Sequence, residues 1–316
     1  MTARTTSCRV AVLVVGLLLG GMQTAAADEP APPPEESLTP AQQQARAAYQ
    51  AAVAAKVTGP AQVALRDQAK LDLPAGFAFI PKNEAAALMH VMGNQTGDEF
   101  IGLIFPRGDD RKSWMVSVDY EAAGYVKDDD AKHWDADELL QNLKDGTKAS
   151  NEERTKIGVP AIEVTGWIEK PSYEPDGHRL VWSVEARMRD GEDPDPTISY
   201  NTYVLGREGY ISMNLITQAS TIGADKPVAK KLLAAVTFED GKRYSDFKPS
   251  TDKVAAYGLA ALVAGVAAKK LGLLALAGVF ILKFAKLFAL GAAAVGGGVW
   301  KWIKGRGGKD TTGTAA

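Results

Sequence analysis

The chain has only three histidines, His90, His133 and His178, and no two share the His-x-x-x-His spacing that places two imidazoles on one metal. His133 has the richest surroundings. Asp128, Asp129 and Asp130 precede it, and Asp135, Asp137 and Glu138 follow. Carboxylate oxygens plus one imidazole are donors that a divalent cation accepts. The cluster lacks the alternating Asp-x-Asp-x-Asp-Gly order of a calcium loop, and 135–138 reads as an N-cap with an acidic first helical turn. No metal ligands are assigned. Ser183 lies inside a strand-like run, Leu180-Val181-Trp182-Ser183, and no Gly-x-Ser-x-Gly elbow occurs. Phosphate-loop, dinucleotide and haem signatures are missing too. No catalytic residue and no cofactor follow from these residue types, and nothing commits the chain to being an enzyme.

Two short stretches could instead make a ligand or partner surface. Gly206-Arg207-Glu208-Gly209 sets two glycines around an ion pair, and Arg207 with free amides could hold an anion. As a hairpin turn whose glycines supply positive φ, it needs no ligand. Gly166-Trp167-x-x-Lys170-Pro171-x-Tyr173 could form an exposed apolar shelf at a strand end. The candidate surface is therefore Trp167, Pro171, Tyr173, Arg207 and Glu208. The other aromatics, such as Trp114, Trp182, Tyr200 and Tyr203, read as sheet packing.

The elements that must position these residues follow from periodicity. Thr39-Pro40 gives an N-cap with proline at N1, and the alanine-rich stretch to Lys56 continues as a helix that Gly59-Pro60 ends. From Val63 the period becomes two, and strands are predicted at 63–65, 71–73, 77–79, 100–105, 113–120, 161–168, 179–187, 199–205 and 209–216. Helices are predicted at 82–92, 135–148 or on to 154, and 226–236. Long strands joined by short connections at 170–177, 190–196 and 206–209 favour an α+β body: an antiparallel sheet with flanking helices.

The termini are of another kind. Arg4 and Arg9, an apolar run over 10–22 and Ala25-Ala26-Ala27 make residues 1–27 a signal peptide. The only cysteine, Cys8, would leave with it, and disulfides, thiolate nucleophiles and cysteine-bound zinc with it. Residues 28–38 hold the Pro/Glu-rich linker, 39–58 the helix, and 59–250 the exported domain.

Residues 251–303 read as a C-terminal transmembrane helical segment. The stretch 254–300 is apolar except for Lys269, Lys270, Lys283 and Lys286, and its longest uncharged runs are 15, 12 and 14 residues. A mid-bilayer lysine costs about 2.5–3.5 kcal/mol on insertion scales, which the apolar residues partly offset. A core helix or an in-plane amphipathic helix is the alternative. Trp300 and Trp302 read as an interfacial anchor beside the basic tail 304–316, which positive-inside logic places in the cytoplasm. An exported body and an internal tail require an odd number of crossings, most simply one; a two-crossing hairpin would leave the tail outside.

Charge divides in the same way. Residues 28–252 carry 25 Lys/Arg against 37 Asp/Glu, whereas 253–316 carry nine against Asp310 alone. An acidic body is a poor match for a phosphate backbone, so nucleic acid is not an expected partner.

Several ordered motifs carry a resemblance: GYVKDDDAKHWDADELL (124–140), GW followed by KPSY (166–173), LVWS (180–183), YNTYVLGREG (200–209), GKRYSDF (241–247) and TDKVAAYGLAAL (251–262). Together they resemble the bacterial DUF2167 family of membrane-anchored proteins of unknown function. The resemblance implies placement and architecture and brings no activity with it.

Two functional expectations follow. The first is a non-catalytic envelope protein of the cytoplasmic membrane, its body on the periplasmic or extracellular side, binding a protein, peptide or cell-wall component. The second is a membrane component whose lysine-bearing helices assemble into a channel, sensor or transport accessory.

Overall fold

The computed structural model describes residues 39–92, 94–107, 114–156, 160–189 and 194–264. Helix α1 (Pro40–Ala55) opens with a reciprocal cap: the Thr39 hydroxyl accepts from the Gln42 amide at 3.3 Å, and the Gln42 side chain accepts the Thr39 amide at 2.9 Å. It is followed by β1 (Val57–Thr58), β2 (Ala61–Leu65), β3 (Ala69–Leu73), β4 (Phe77–Pro81), α2 (Lys82–Val91), β5 (Phe100–Pro106) and β6 (Met115–Glu121). After α3 (Ala136–Lys156) come β7 (Ile162–Glu174), β8 (Arg179–Met188), β9 (Thr197–Leu205), β10 (Tyr210–Gln218), α4 (Ile222–Ala234), β11 (Val236–Phe238) and α5 (Leu259–Val263).

Eight strands form one antiparallel sheet in the order β1-β4-β5-β6-β10-β9-β8-β7, and β11-β3-β2 form a second, smaller one. The α+β class with a large antiparallel sheet and flanking helices is thus as the periodicity requires. Side chains alternate between the faces of a strand, so register assigns every residue to a side. One face of the large sheet carries Val116, Val118, Tyr200, Val204, Ile211, Met213 and Leu215. They pack with Leu65 and Leu71 of the small sheet and with Leu232 and Leu233 of α4. On the opposite face, α1 and α2 cover Phe100, Leu103, Met115 and Ile216 at one side. At the other side Leu139 and Leu143 of α3 and Leu259, Leu262 and Val263 of α5 cover Leu180, Trp182, Val184 and Leu205.

Some boundaries differ from the expected ones. Strand β7 runs on through Pro171 to Glu174, because it is an edge strand with register shifts, and proline costs an edge strand no ladder bond. Helix α4 starts at Ile222, ahead of Pro227, and Val236 belongs to β11 rather than to a helix. Residues 254–264, at the head of the expected membrane segment, are part of the body: Val254 bridges Tyr125 and α5 is buried. Among the described residues, no helix is long and apolar enough to cross a membrane. Residues 1–38, Lys269, Lys270, Lys283, Lys286, Trp300, Trp302 and the basic tail lie outside the described residues.

Candidate functional site

The residues singled out in sequence serve mostly as joints. Trp167 is half-buried, donates its indole N–H to the Ala136 carbonyl at 3.0 Å and meets Trp182 edge-on at 6.2 Å. Pro171 is buried and Tyr173 half-buried, so the two do not join Trp167 in an exposed shelf. Sequence could not show this, because the register shifts in β7 turn its side chains away from simple alternation.

Arg207 and Glu208 do not pair with each other. The Arg207 guanidinium donates to both oxygens of Asp252, at 2.6 and 2.7 Å, and to the Gly241 carbonyl. Glu208 accepts from Lys242 at 2.6 Å and from Gln68 at 3.2 Å. The turn needs glycine for closeness rather than for positive φ: a Cβ on Gly209 would stand 1.9 Å from the Glu121 carbonyl oxygen.

The acidic cluster around His133 is likewise engaged. Asp130 accepts the Leu259 and Ala260 amides at the start of α5, Asp135 caps α3, and Asp128 accepts the Tyr173 hydroxyl at 2.7 Å. His133 itself is exposed. Among the described residues, no three His, Cys, Asp or Glu side chains gather as a metal would need.

His178 is drawn into a small network. Its Nδ1 lies 3.2 Å from the Tyr173 hydroxyl, and its ring lies 4.2 Å from that of Tyr244, which stacks on Tyr125. Burial lowers its pKa, against the opposing pull of Asp128 and Asp176.

A different constellation occupies the middle of the large sheet, on the face that carries the two helical flanks. Ser117 of β6, Asn214 of β10 and Asn201 of β9 are direct register partners and share a face. One step along, Asp119, Ser212 and Tyr203 are partners in the same way, and beyond them Glu121, Tyr210 and Leu205. The result is a polar strip between two apolar flanks, running from buried Ser117 and Asn214 to half-buried Glu121.

Five of its side chains, Ser117, Asp119, Asn201, Ser212 and Asn214, are at most 4% exposed, where a solvated sheet face would leave them wet. The Ser117 hydroxyl donates to Asp119 at 2.8 Å, and the Ser199 hydroxyl donates to the Asn214 Oδ1 at 2.9 Å. Among the described residues, the Asn214 Nδ2 has no partner. Burial raises the Glu121 pKa, and the nearby carboxylates of Glu99 and Asp119 raise it further; Arg66 and Lys253 oppose them. Tyr257, from the segment leading into α5, lies close enough to influence Tyr203 and Tyr210 electrostatically.

A signal for the strip stood in the sequence: Ser117-x-Asp119-x-Glu121, Ser199-x-Asn201 and Ser212-x-Asn214 each place polar residues two apart. Alternation of that kind ordinarily marks a solvated face, and only the flanking helices distinguish the two cases.

The family model of DUF2167, a protein family of unknown function, matches residues 57–296. The chain belongs to the DUF2167 family. The match takes in every strand and the whole polar strip, whereas α1 precedes it. No curated protein matches the chain. Among solved structures it is similar to the cyanobacterial PsbP of Synechocystis sp. PCC 6803, at 11% identity, covering 58% of this chain and 91% of that one with a TM-score of 0.34. It is also similar to the Ran-binding protein Mog1p of Saccharomyces cerevisiae, at 11% identity, covering 60% and 98% with a TM-score of 0.32. A third, the Pseudomonas aeruginosa protein of unknown function PA94, has 11% identity, coverage of 54% and 91%, and a TM-score of 0.21.

Proposed function

We propose that this DUF2167 protein is a membrane-held envelope protein whose exported body binds a protein or peptide segment along the polar strip. The buried Asn214 amide, whose donor finds no partner among the described residues in the middle of a sheet face, carries the binding part of the reading. A buried donor without an acceptor costs free energy that a bound carbonyl would recover.

The segment before the apolar C-terminal stretch supports the rest. It is tied to the body by the Arg207–Asp252 pair, by backbone hydrogen bonds on both sides of Val254 with Tyr125, and by the Asp130 cap of α5. A span continuing from α5 would hold the strip at a fixed height over the bilayer rather than on a loose tether. The signal-peptide pattern over 1–27 and the basic tail support a body outside and a tail inside.

Two measurements in intact cells test the two parts. Cysteines introduced at exposed Lys148 and at Thr312 are labelled with a membrane-impermeant reagent that has access to the outer face of the cytoplasmic membrane. Labelling of Lys148→Cys with protection of Thr312→Cys is expected, and the reverse overturns the topology. A photo-crosslinking residue at Glu121 should give an adduct of defined mass, and one at exposed Glu174 should not. Equal adducts from both positions, or none from Glu121, overturn the strip as a binding face.

A further inference from the structure

We infer that His178 is a proton-sensitive pin: when its imidazole is protonated, the 125–130 segment loosens, and with it the docking of residues 253–264 on the sheet. The backbone at His178 is fixed on both sides, since its N–H donates to the Pro175 carbonyl at 3.2 Å and its carbonyl accepts the Leu205 amide at 2.9 Å. Only the ring is left to respond. It reaches the 125–130 segment by two routes. Through Nδ1, 3.2 Å from the Tyr173 hydroxyl, it meets a group that donates to Asp128 at 2.7 Å. Through its face it packs on the Tyr244 ring at 4.2 Å, and the Tyr244 hydroxyl donates to the Val126 carbonyl at 2.8 Å.

That segment in turn holds the docked stretch 253–264. Tyr125 donates its amide to the Lys253 carbonyl at 2.8 Å, and its own carbonyl accepts the Ala255 amide at 2.9 Å. Asp128 precedes a single 3₁₀ turn, Asp129–Lys132, and Asp130 inside that turn accepts the Leu259 and Ala260 amides at 3.1 and 2.9 Å. Asp128 and Asp130 stand two residues apart, so a shift of one is felt by the other. Asp252 is held separately, by Arg207, and marks the hinge.

The proton acts through charge. Because the Tyr173 hydroxyl gives its proton to Asp128, its oxygen accepts from the Nδ1–H of His178, which leaves Nε2 bare in the neutral ring. A second proton turns a half-buried ring into a cation. The groups that face it are Tyr173 of β7, Asp176 of the β7–β8 turn, Asp128 and Tyr244, while Arg179 on its own strand is turned to Glu174. Burial outweighs the pull of Asp128 and Asp176 and lowers the pKa. The cation regains solvation in one of two ways: the ring turns out from beside Tyr244, or it draws Asp128 away from Tyr173. Either undoes a route to 125–130. A ring that binds its proton more readily in the released form drives release as pH falls through the ordinary histidine value of about 6.5. Linkage is reciprocal, so release by other means must raise the His178 pKa.

Two measurements on the full-length protein test both directions. Hydrogen exchange, corrected for the intrinsic pH dependence of the exchange chemistry, is compared at about pH 7.5 and about pH 5.5. At Leu259 and Ala260 it should rise by about fivefold or more at the lower pH in the wild type and stay level in His178→Asn. The Thr251 and Asp252 amides, which donate to the Lys248 carbonyl behind the hinge, should not change. In the second measurement the ring protons of His178 are titrated by NMR, identified by their loss in His178→Asn. Asp130→Ala, which removes the cap of α5, should move the His178 midpoint upward and leave that of exposed His90 in place. Deleting a carboxylate acts directly in the opposite sense, since it removes a charge that favours the imidazolium, so an upward shift reports release.

Exchange at Leu259 and Ala260 that ignores pH in the wild type, or rises equally in His178→Asn, overturns the inference. So does exchange in His178→Asn that is already fast at both pH values, because the packing of the ring and not its proton would then hold the segment. A His178 midpoint that stays or falls in Asp130→Ala overturns it as well.

Discussion

The guanidinium of Arg207, at the tip of the β9–β10 hairpin, donates to both oxygens of Asp252, 45 residues downstream, at 2.6 and 2.7 Å. Asp252 also accepts the Lys248 amide and the Thr251 hydroxyl. The pair fastens the segment that precedes the C-terminal apolar stretch to the end of the sheet. Planar, two-pronged pairing of this sort is specific in geometry, so lysine at position 207 is no equivalent.

Its acid sensitivity has a definite sign. Hydrogen bonding to Arg207 holds the Asp252 carboxyl well below the usual carboxylate range. A depressed folded pKa contributes stability above the unfolded value near about 4, and that contribution is lost as pH falls towards the folded value. Asp252→Asn should therefore melt below wild type at neutral pH, with the gap closing as pH falls below about 4. Thermal melts across that range check it; a gap independent of pH would contradict the ionic origin.

Asp130 makes a second joint of the same segment, and its removal should act locally. Asp130→Ala deprives the Leu259 and Ala260 amides of their acceptors, at a cost of about 0.5–2 kcal/mol. Hydrogen exchange should speed up at these two amides and leave β9 and β10 unchanged. Uniform acceleration throughout the body would mean that α5 is integral to the sheet rather than docked on it.

Two glycine-to-alanine substitutions should have opposite signs. At Gly209 the new methyl would meet the Glu121 carbonyl oxygen, and backbone has no rotamer by which to yield. Overpacking there should cost about 1–3 kcal/mol. At Gly146, inside α3, nothing lies within 4 Å of the added Cβ, so alanine should stabilise by about 0.5–1 kcal/mol through helix propensity. Urea unfolding of both variants measures the difference.

The fold was legible wherever period-two stretches were long, as at 179–187 and 199–205, because burial of one face forces alternation. Short elements were not legible. β1 has two residues and β11 three, too few for a period, and pairing with distant strands alone makes them strands. α5 was read as the head of a membrane segment, since Leu259, Leu262 and Val263 are as apolar in a protein core as in lipid. The chemistry-bearing residues misled for a related reason. Arg207, Asp128 and Asp130 have the composition of a site, yet each meets a partner 45 or more residues away, a distance over which sequence holds no record of contact. The polar strip was visible residue by residue, but its burial was not.

His178 carries a pH dependence that falls near neutrality. It closes the β7–β8 hairpin in the left-handed region, with φ of 49°, a conformation in which asparagine is well tolerated. With the Tyr173 hydroxyl donating to Asp128, the Nδ1 of His178 carries the proton and donates to the Tyr173 oxygen, which fixes the neutral tautomer. Burial, partly offset by Asp128 and Asp176, holds its pKa below the ordinary value. The unfolded chain then binds a proton more readily than the folded one. Stability is therefore fully present above about pH 6.5 and falls as the solution is acidified below it. Asn at 178 keeps the left-handed turn and a side-chain amide but cannot titrate. Urea unfolding of the wild type should show a decline between about pH 7 and pH 5, and His178→Asn should flatten it. An identical decline in both proteins would assign the pH dependence to other groups and reduce His178 to a packing residue against Tyr244.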